Sequence, residues 1–176
     1  MTFVGGKKQN MSAVKRESLN TTSKGHTHMT PVLGMIERNG YVKAFKVPAV
    51  NKNSLIPIIL NHVDSESTII TDGHGVYSTL KNDFKTHKAI EHTMSRQTKG
   101  NYGQWHTGNI EGFWSMFKRG IIGIYHQVSP KHINQYLNEF SYRFNTKDYT
   151  ESERFALVLS NTGNKQLRYS KLINHE

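Results

Sequence analysis

An α/β or α+β domain around a mixed β-sheet is the fold class that this sequence predicts, and three observations carry the prediction. Two β-rich runs meet at Asn39-Gly40, a strong hairpin signal. A short β-branched run ends abruptly at Asp72-Gly73. From there strand-like and helix-like segments alternate, and amphipathic helices fill the C-terminal third. The chain has 176 residues, of which 35 % are hydrophobic, with eight Tyr, eight Phe and two Trp. That is enough for one domain with a real core, and too apolar for disorder throughout.

Taken in order, residues 7–30 are polar and basic without periodicity and read as a long exposed loop. Residues 32–37 and 41–47 are the two hairpin strands. Residues 53–62 read as a helix entered through Asn51 and Asn53, with Leu55, Ile58, Ile59 and His62 at helical spacing. The run 67–71 reads as a buried strand. A short helix at 76–82 and a strand at 88–91 follow, then a loop over 95–108 rich in Ser, Gln, Gly, Asn and Thr. Three helices complete the domain at 109–119, 130–144 and 152–160. Ile133, Tyr136, Leu137, Phe140 and Phe144 are the expected core residues of the second. The final residues read as a basic tail, giving a domain over 1–160 and a tail over 161–176.

Composition removes whole classes of function. The absence of cysteine excludes a disulfide scaffold, a Cys-ligated zinc ribbon and a thiol nucleophile within this chain. The longest apolar run, 55–60, is far too short for a membrane span and is interrupted by Pro57. The first ten residues lack the apolar core of a secretory leader. A soluble intracellular protein is therefore expected.

Charge is unevenly spread around the formal total of +10. Residues 1–52 carry nine Lys and Arg against two acids (+7), residues 53–95 three against five (−2), and residues 96–176 eleven against six (+5). Two basic regions flank an acid-leaning middle. Basic surfaces bind phosphate backbones by releasing counterions, so nucleic acid is the leading partner, with a basic protein of no nucleic-acid role as the alternative.

The aspartates are only Asp64, Asp72, Asp83 and Asp148. Asp72 stands at the C-terminal end of an expected central strand, before Gly73, where open α/β sheets bind ligands. The competing reading makes it the cap of the helix that begins near Gly75. In the helix 109–119, Ile110, Phe113, Trp114 and Phe117 form one apolar face. Glu111 and Lys118 are seven residues apart, so they share a stripe of that helix. Such a stripe offers a carboxylate to a metal and a cation to a phosphate, or it is an ordinary solvated face. His26 and His28 form an H-x-H pair that either ligates metal or is merely solvated. His126 and His132 divide between DNA contact, helix capping and catalysis. Trp105 and Trp114 could stack on bases, although core packing is the better reading for Trp114. Lys7, Lys8, Lys15, Arg16, Lys118, Arg119 and Lys131 are the expected phosphate contacts.

Longer blocks carry a resemblance. They are Thr2-Phe3-Val4-Gly5-Gly6-Lys7, Thr30-Pro31-Val32-Leu33-Gly34-Met35, and Thr71-Asp72-Gly73 with Tyr77. His106-Thr107-Gly108-Asn109-Ile110-Glu111-Gly112-Phe113-Trp114-Ser115 and Lys118-Arg119-Gly120-Ile121-Ile122-Gly123 follow. Tyr125-His126-Gln127-Val128-Ser129-Pro130-Lys131-His132 and Glu139-Phe140-Ser141-Tyr142-Arg143-Phe144-Asn145 complete the series. In these blocks the chain resembles the DDE transposase domain of ISXO-like bacterial insertion sequences.

The resemblance implies a ribonuclease-H-like fold, a mixed five-stranded sheet flanked by helices. It also implies two Mg²⁺ or Mn²⁺ ions held between carboxylates, with Asp72 matching the second acidic position, Glu111 the third, and Lys118 the basic residue two turns on. The implied activity is metal-dependent DNA strand cleavage and transfer in transposition. The implied partners are double-stranded DNA, as transposon ends and target, and further copies of the chain in a synaptic complex. The implied location is the bacterial cytoplasm, at the nucleoid, with no membrane role. The family's first catalytic aspartate precedes the Thr-Phe-Val-Gly-Gly segment, whereas here no acid occurs before Glu17. The expectation is thus a truncated first strand and an incomplete metal site. The alternative function is then a catalytically inactive fragment that binds DNA or interferes with a full-length transposase.

Overall fold

The computed structural model describes residues 1–5, 13–18, 29–90, 105–126 and 128–163. Among these described residues, five strands and five α-helices follow in the order β1 (Thr2–Val4), α1 (Ala13–Ser18), β2 (Thr30–Ile36), β3 (Val42–Lys46), α2 (Lys52–Leu60), β4 (Thr68–Asp72), β5 (Thr86–Ile90), α3 (Gly108–Gly120), α4 (Ile133–Asn145) and α5 (Glu151–Thr162). A 3₁₀ segment, Gly75–Asn82, joins β4 to β5, and a π-helical turn, Ile121–Tyr125, extends α3.

The hairpin forms where the Asn-Gly pair predicts it, with Asn39 in the left-handed region at φ 58°. It pairs Val32 with Lys46 and Ile36 with Val42, antiparallel. Strand β1 adds antiparallel on the other side of β2, with Thr2 opposite Val32. The period of two along β2 then serves two cores at once. Val32, with Val42 and Ala44 of β3, joins Phe113, Trp114, Phe117, Leu137 and Phe140 of α3 and α4. Leu33 points the other way, into a cluster with Val47, Leu55, Ile59, Tyr77 and Leu80. Helices therefore cover both faces of the antiparallel sheet, the α/β layering that the element pattern predicts.

Several expectations need correction. The five strands form two sheets among the described residues, β1-β2-β3 and the parallel pair β4-β5, where the resemblance implied one five-stranded sheet. Strand β1 spans three residues and, among the described residues, pairs with β2 alone. Among the described residues, strand β4 has a hydrogen-bonded neighbour on one side only and is not central. For that reason Ile69 and Ile70 are half-buried, not buried as the β-branched run suggested. Helix α1 occupies six residues of the expected loop, because Ala13 to Glu17 are compatible with helix although they lack an apolar stripe. Helix α3 does not stop at Arg119 but continues through Gly120 into the π turn. Helix α4 begins at Ile133, after a turn through Pro130.

Two asparagines of α4 close the outer edge of β3. Asn145 Oδ1 accepts from the Val42 N–H at 2.8 Å and its Nδ2 donates to the Val42 carbonyl at 3.0 Å. Asn134 Oδ1 accepts from the Lys46 N–H at 3.0 Å. These side chains occupy backbone groups that an exposed edge would offer to another strand. Helix α5 starts on a full capping box between Thr150 and Glu153, yet none of its residues is buried.

Candidate functional site

A cleft of about 880 Å³ opens between the two sheets. Its walls are β2, β4 and the first turn of α3, with Met1, Asp72, Trp105, Glu111 and Trp114 among the lining residues. Asp72 and Glu111, 39 positions apart in the chain, thus face one space.

Each carboxylate is oriented by a local donor. Asp72 ends β4 half-buried, and its Oδ1 accepts from the His74 N–H at 3.2 Å. Capping of the following 3₁₀ segment falls to His74, whose Nδ1 accepts from the Val76 N–H at 3.3 Å. The reading of Asp72 as that segment's cap is thereby overturned. Glu111 sits exposed in the first turn of α3, where the helix dipole favours an anion. The Thr107 hydroxyl donates to its Oε1 at 2.5 Å.

Charge converges on the same region. Burial pushes the Tyr77 phenol up to about 12, and the negative charge of Asp72 adds to the effect, so Tyr77 stays protonated beside it. The amino group of Met1 is lowered by burial, with Asp72 acting to raise it and Lys118 to lower it. Lys118 therefore lies within electrostatic reach of the cleft, on the exposed face of α3, two turns past Glu111.

The remaining sequence candidates scatter. Arg119 is exposed next to Lys118, and Lys131 is exposed in the turn before α4, away from the cleft lining. Lys7, Lys8, His26, His28 and the side chains of Lys15 and Arg16 lie outside the described residues. Trp114 packs in the core as expected, at 6 % exposure, and fits against Gly34, where any Cβ would collide with its indole ring. His132 occupies the position before α4 without a side-chain capping bond. Sequence reasoning missed Arg38, whose guanidinium stands 5.9 Å over the Trp105 ring at the cleft wall. It also missed Glu37 and Asp64, which line the same cleft. A cation in a hairpin turn and two scattered acids carry no local signal of such a meeting.

Among the described residues, no group of three or more His, Asp or Glu side chains is gathered to hold a metal ion. Asp72 and Glu111, each oriented by a local donor, line the cleft together with Glu37 and Asp64, and as hard oxygen donors Asp72 and Glu111 suit Mg²⁺ or Mn²⁺. No described helix is long and apolar enough to cross a membrane.

The sequence profile of ISXO2-like transposase domains matches residues 1–145 of this chain. The chain belongs to the ISXO2-like transposase domain family. Both candidate carboxylates, Lys118 and the whole of α4 fall within the matched span, whereas α5 lies beyond it. Over 102 residues the chain is 29 % identical to a protein of Haemophilus influenzae described as an uncharacterized transposase-like protein, a stretch covering 58 % of this chain and 79 % of the relative. No solved structure matches the chain.

Proposed function

We propose that the cleft between the two sheets is the site of metal-dependent DNA strand cleavage and transfer in transposition. The observation that carries this reading is that Asp72 and Glu111, brought from a strand end and a helix start, line one cleft within a transposase-family domain. Asp72 and Glu111 would hold the divalent cation. Such a cation supplies an activated water or 3′-hydroxyl and stabilises the leaving oxygen of the phosphodiester.

The chain's own residues prepare that site. Thr107 and the His74 N–H fix the two carboxylates before any ligand arrives. Lys118 and Arg119 bind the phosphate backbone, and Arg38 with Trp105 meets the bases or sugars at the cleft wall. The fold is read as ribonuclease-H-like. Support comes from the antiparallel β1-β2-β3 arrangement, the parallel β4-β5 pair and the lining of one cleft by Met1 and Asp72. Double-stranded DNA is the partner, in an assembly of more than one copy, at the bacterial nucleoid.

The test is a nicking and strand-transfer assay in Mg²⁺ and Mn²⁺, run beside a DNA-binding titration over salt. Glu111→Gln and Asp72→Asn are each expected to reduce nicking to background while leaving salt-sensitive binding intact. Undiminished nicking by either variant overturns the assignment. Binding without nicking by the unaltered chain leaves the second function, a DNA-binding fragment that interferes with a full-length transposase.

A further inference from the structure

A second cavity, of about 660 Å³, opens beside the first turns of α3, between the β2–β3 hairpin and the end of α4. That is the size of a pocket for a nucleotide-sized ligand, roughly 300–1,000 Å³. Glu37, Tyr41 and Asn109 line both this cavity and the cleft lined by Asp72 and Glu111, so the two spaces adjoin.

The lining selects the chemistry of the ligand. Tyr41 and Tyr149 are 62 % and 46 % exposed, and both belong to the cavity wall. Aromatic rings open to solvent offer stacking surfaces to a base whose own face is uncovered. Charge in the cavity runs against phosphate: Glu37 and Asp148 line it with one cation, Lys147. Lys118 and Arg119 are absent from the lining. A neutral base, with donors and acceptors on its edges, suits such a wall better than a phosphate does.

Gly112 supplies an independent observation. It lies inside α3, where glycine forgoes the helix stability that alanine would give. Packing accounts for glycine at Gly34 and Gly120, where a Cβ would collide with Trp114 and Phe140. At Gly112 an added Cβ meets nothing within 4 Å among the described residues. Gly112 nevertheless lines the cavity, one residue after Glu111. Bare backbone that the chain itself does not fill is what close approach of a ligand requires.

We propose that this cavity holds an unpaired nucleotide of the bound DNA, its base against Tyr41 and Tyr149 and its body against Gly112. The proposal rests on the reading of the neighbouring cleft as the site of DNA cleavage. Within a duplex both faces of a base are covered by its neighbours, so an aromatic wall favours a nucleotide already out of the stack.

The experiment uses the full chain and a random-sequence duplex, either blunt or with a short 3′ overhang containing 2-aminopurine. Binding is followed by anisotropy over a range of salt, and stacking by quenching of the 2-aminopurine. The unaltered chain is expected to bind the overhang duplex several-fold more tightly than the blunt one and to quench the probe. Tyr149→Ala and Gly112→Ala are expected to lose that preference and the quenching while binding blunt duplex as before, and Tyr149→Phe to keep both. Gly112→Ala is also expected to melt at a higher temperature than the unaltered chain, because the added Cβ meets open space. A lower melting temperature for Gly112→Ala overturns the reading of its bare backbone as a ligand contact. Salt-dependent binding without preference for the overhang overturns the subsite and leaves the DNA reading standing. Preference retained by Tyr149→Ala or Gly112→Ala, or lost by Tyr149→Phe, overturns the subsite as well. No salt-dependent binding to either duplex overturns the DNA reading and the subsite together.

Discussion

The antiparallel sheet and the parallel pair are built from similar β-branched residues yet reach opposite states. In the antiparallel sheet, Val32 and Val42 are wholly buried and Leu33 is 2 % exposed, because helices lie on both faces. In the parallel pair, Ile69 and Ile70 stay half-buried, and β4 has the cleft where a second neighbour would stand. The difference separates two uses of a strand. The sealed sheet supplies rigidity to its surroundings. The half-open one holds Asp72 at an accessible strand end, in a space large enough for a polyanion. The sheet that concentrates buried apolar area is therefore distinct from the strand that ends in the proposed metal ligand.

Truncation of a core residue is the largest test of this contrast. Phe113→Ala, beneath the sealed sheet, is expected to cost about 3–5 kcal/mol, from lost burial and the cavity left behind. Ile70→Ala, facing the half-open side, is expected to cost about 1 kcal/mol, since less area leaves water there. Chemical denaturation of both variants checks the pair, and equal losses would break the comparison.

Next in size is the seal on the β3 edge. Asn145→Ala removes two hydrogen bonds to Val42 and leaves its part-buried backbone groups without those partners. The expected cost is about 1–3 kcal/mol, accompanied by faster amide exchange at Val42 and more self-association. Unchanged exchange at Val42 would show that the asparagine is not what closes the edge.

The smallest effect belongs to the parallel pair. His87 of β5 meets the Thr71 hydroxyl at 2.9 Å, and burial lowers its pKa from the ordinary 6.5. Between the two values the unfolded chain binds more protons than the folded one. Stability fully present above about pH 6.5 is therefore lost as pH falls toward the folded value. The position-specific part of that slope is expected to vanish in His87→Asn, as read from thermal melts across pH 5 to 7. An unchanged slope would remove His87 from the account.

The contrast also explains which parts of the molecule are legible in the sequence. Asn39-Gly40 announces the hairpin because turn geometry needs positive φ there, and Asn39 adopts it. The apolar spacing of Phe113, Trp114 and Phe117 announces α3 and its buried face. Asn51 caps α2 as its position suggests, accepting from the Ser54 N–H at 2.8 Å. Asp72 and Glu111 were recognisable as candidates from family-like blocks, but their placement on one cleft was not. The π turn was missed because nothing in Ile121 to Tyr125 distinguishes a widened turn from a helix end; its anchors, Phe140 and Glu139, lie on another helix.

The sequence by itself determined the β2–β3 hairpin, the helices α2, α3 and α4 with the apolar faces of the last two, and the basic character of the chain, because periodicity, turn chemistry and charge act over a few neighbouring residues. Only the tertiary structure decided that five strands divide into two sheets with a cleft between them, that Arg38 stands over Trp105, and that Asn134 and Asn145 close β3. It alone decided that two isoleucines are held out in water while their neighbours are buried. Such features arise where residues far apart in the chain compete for the same space. Which contact wins depends on packing, and packing leaves no mark in any local stretch of sequence.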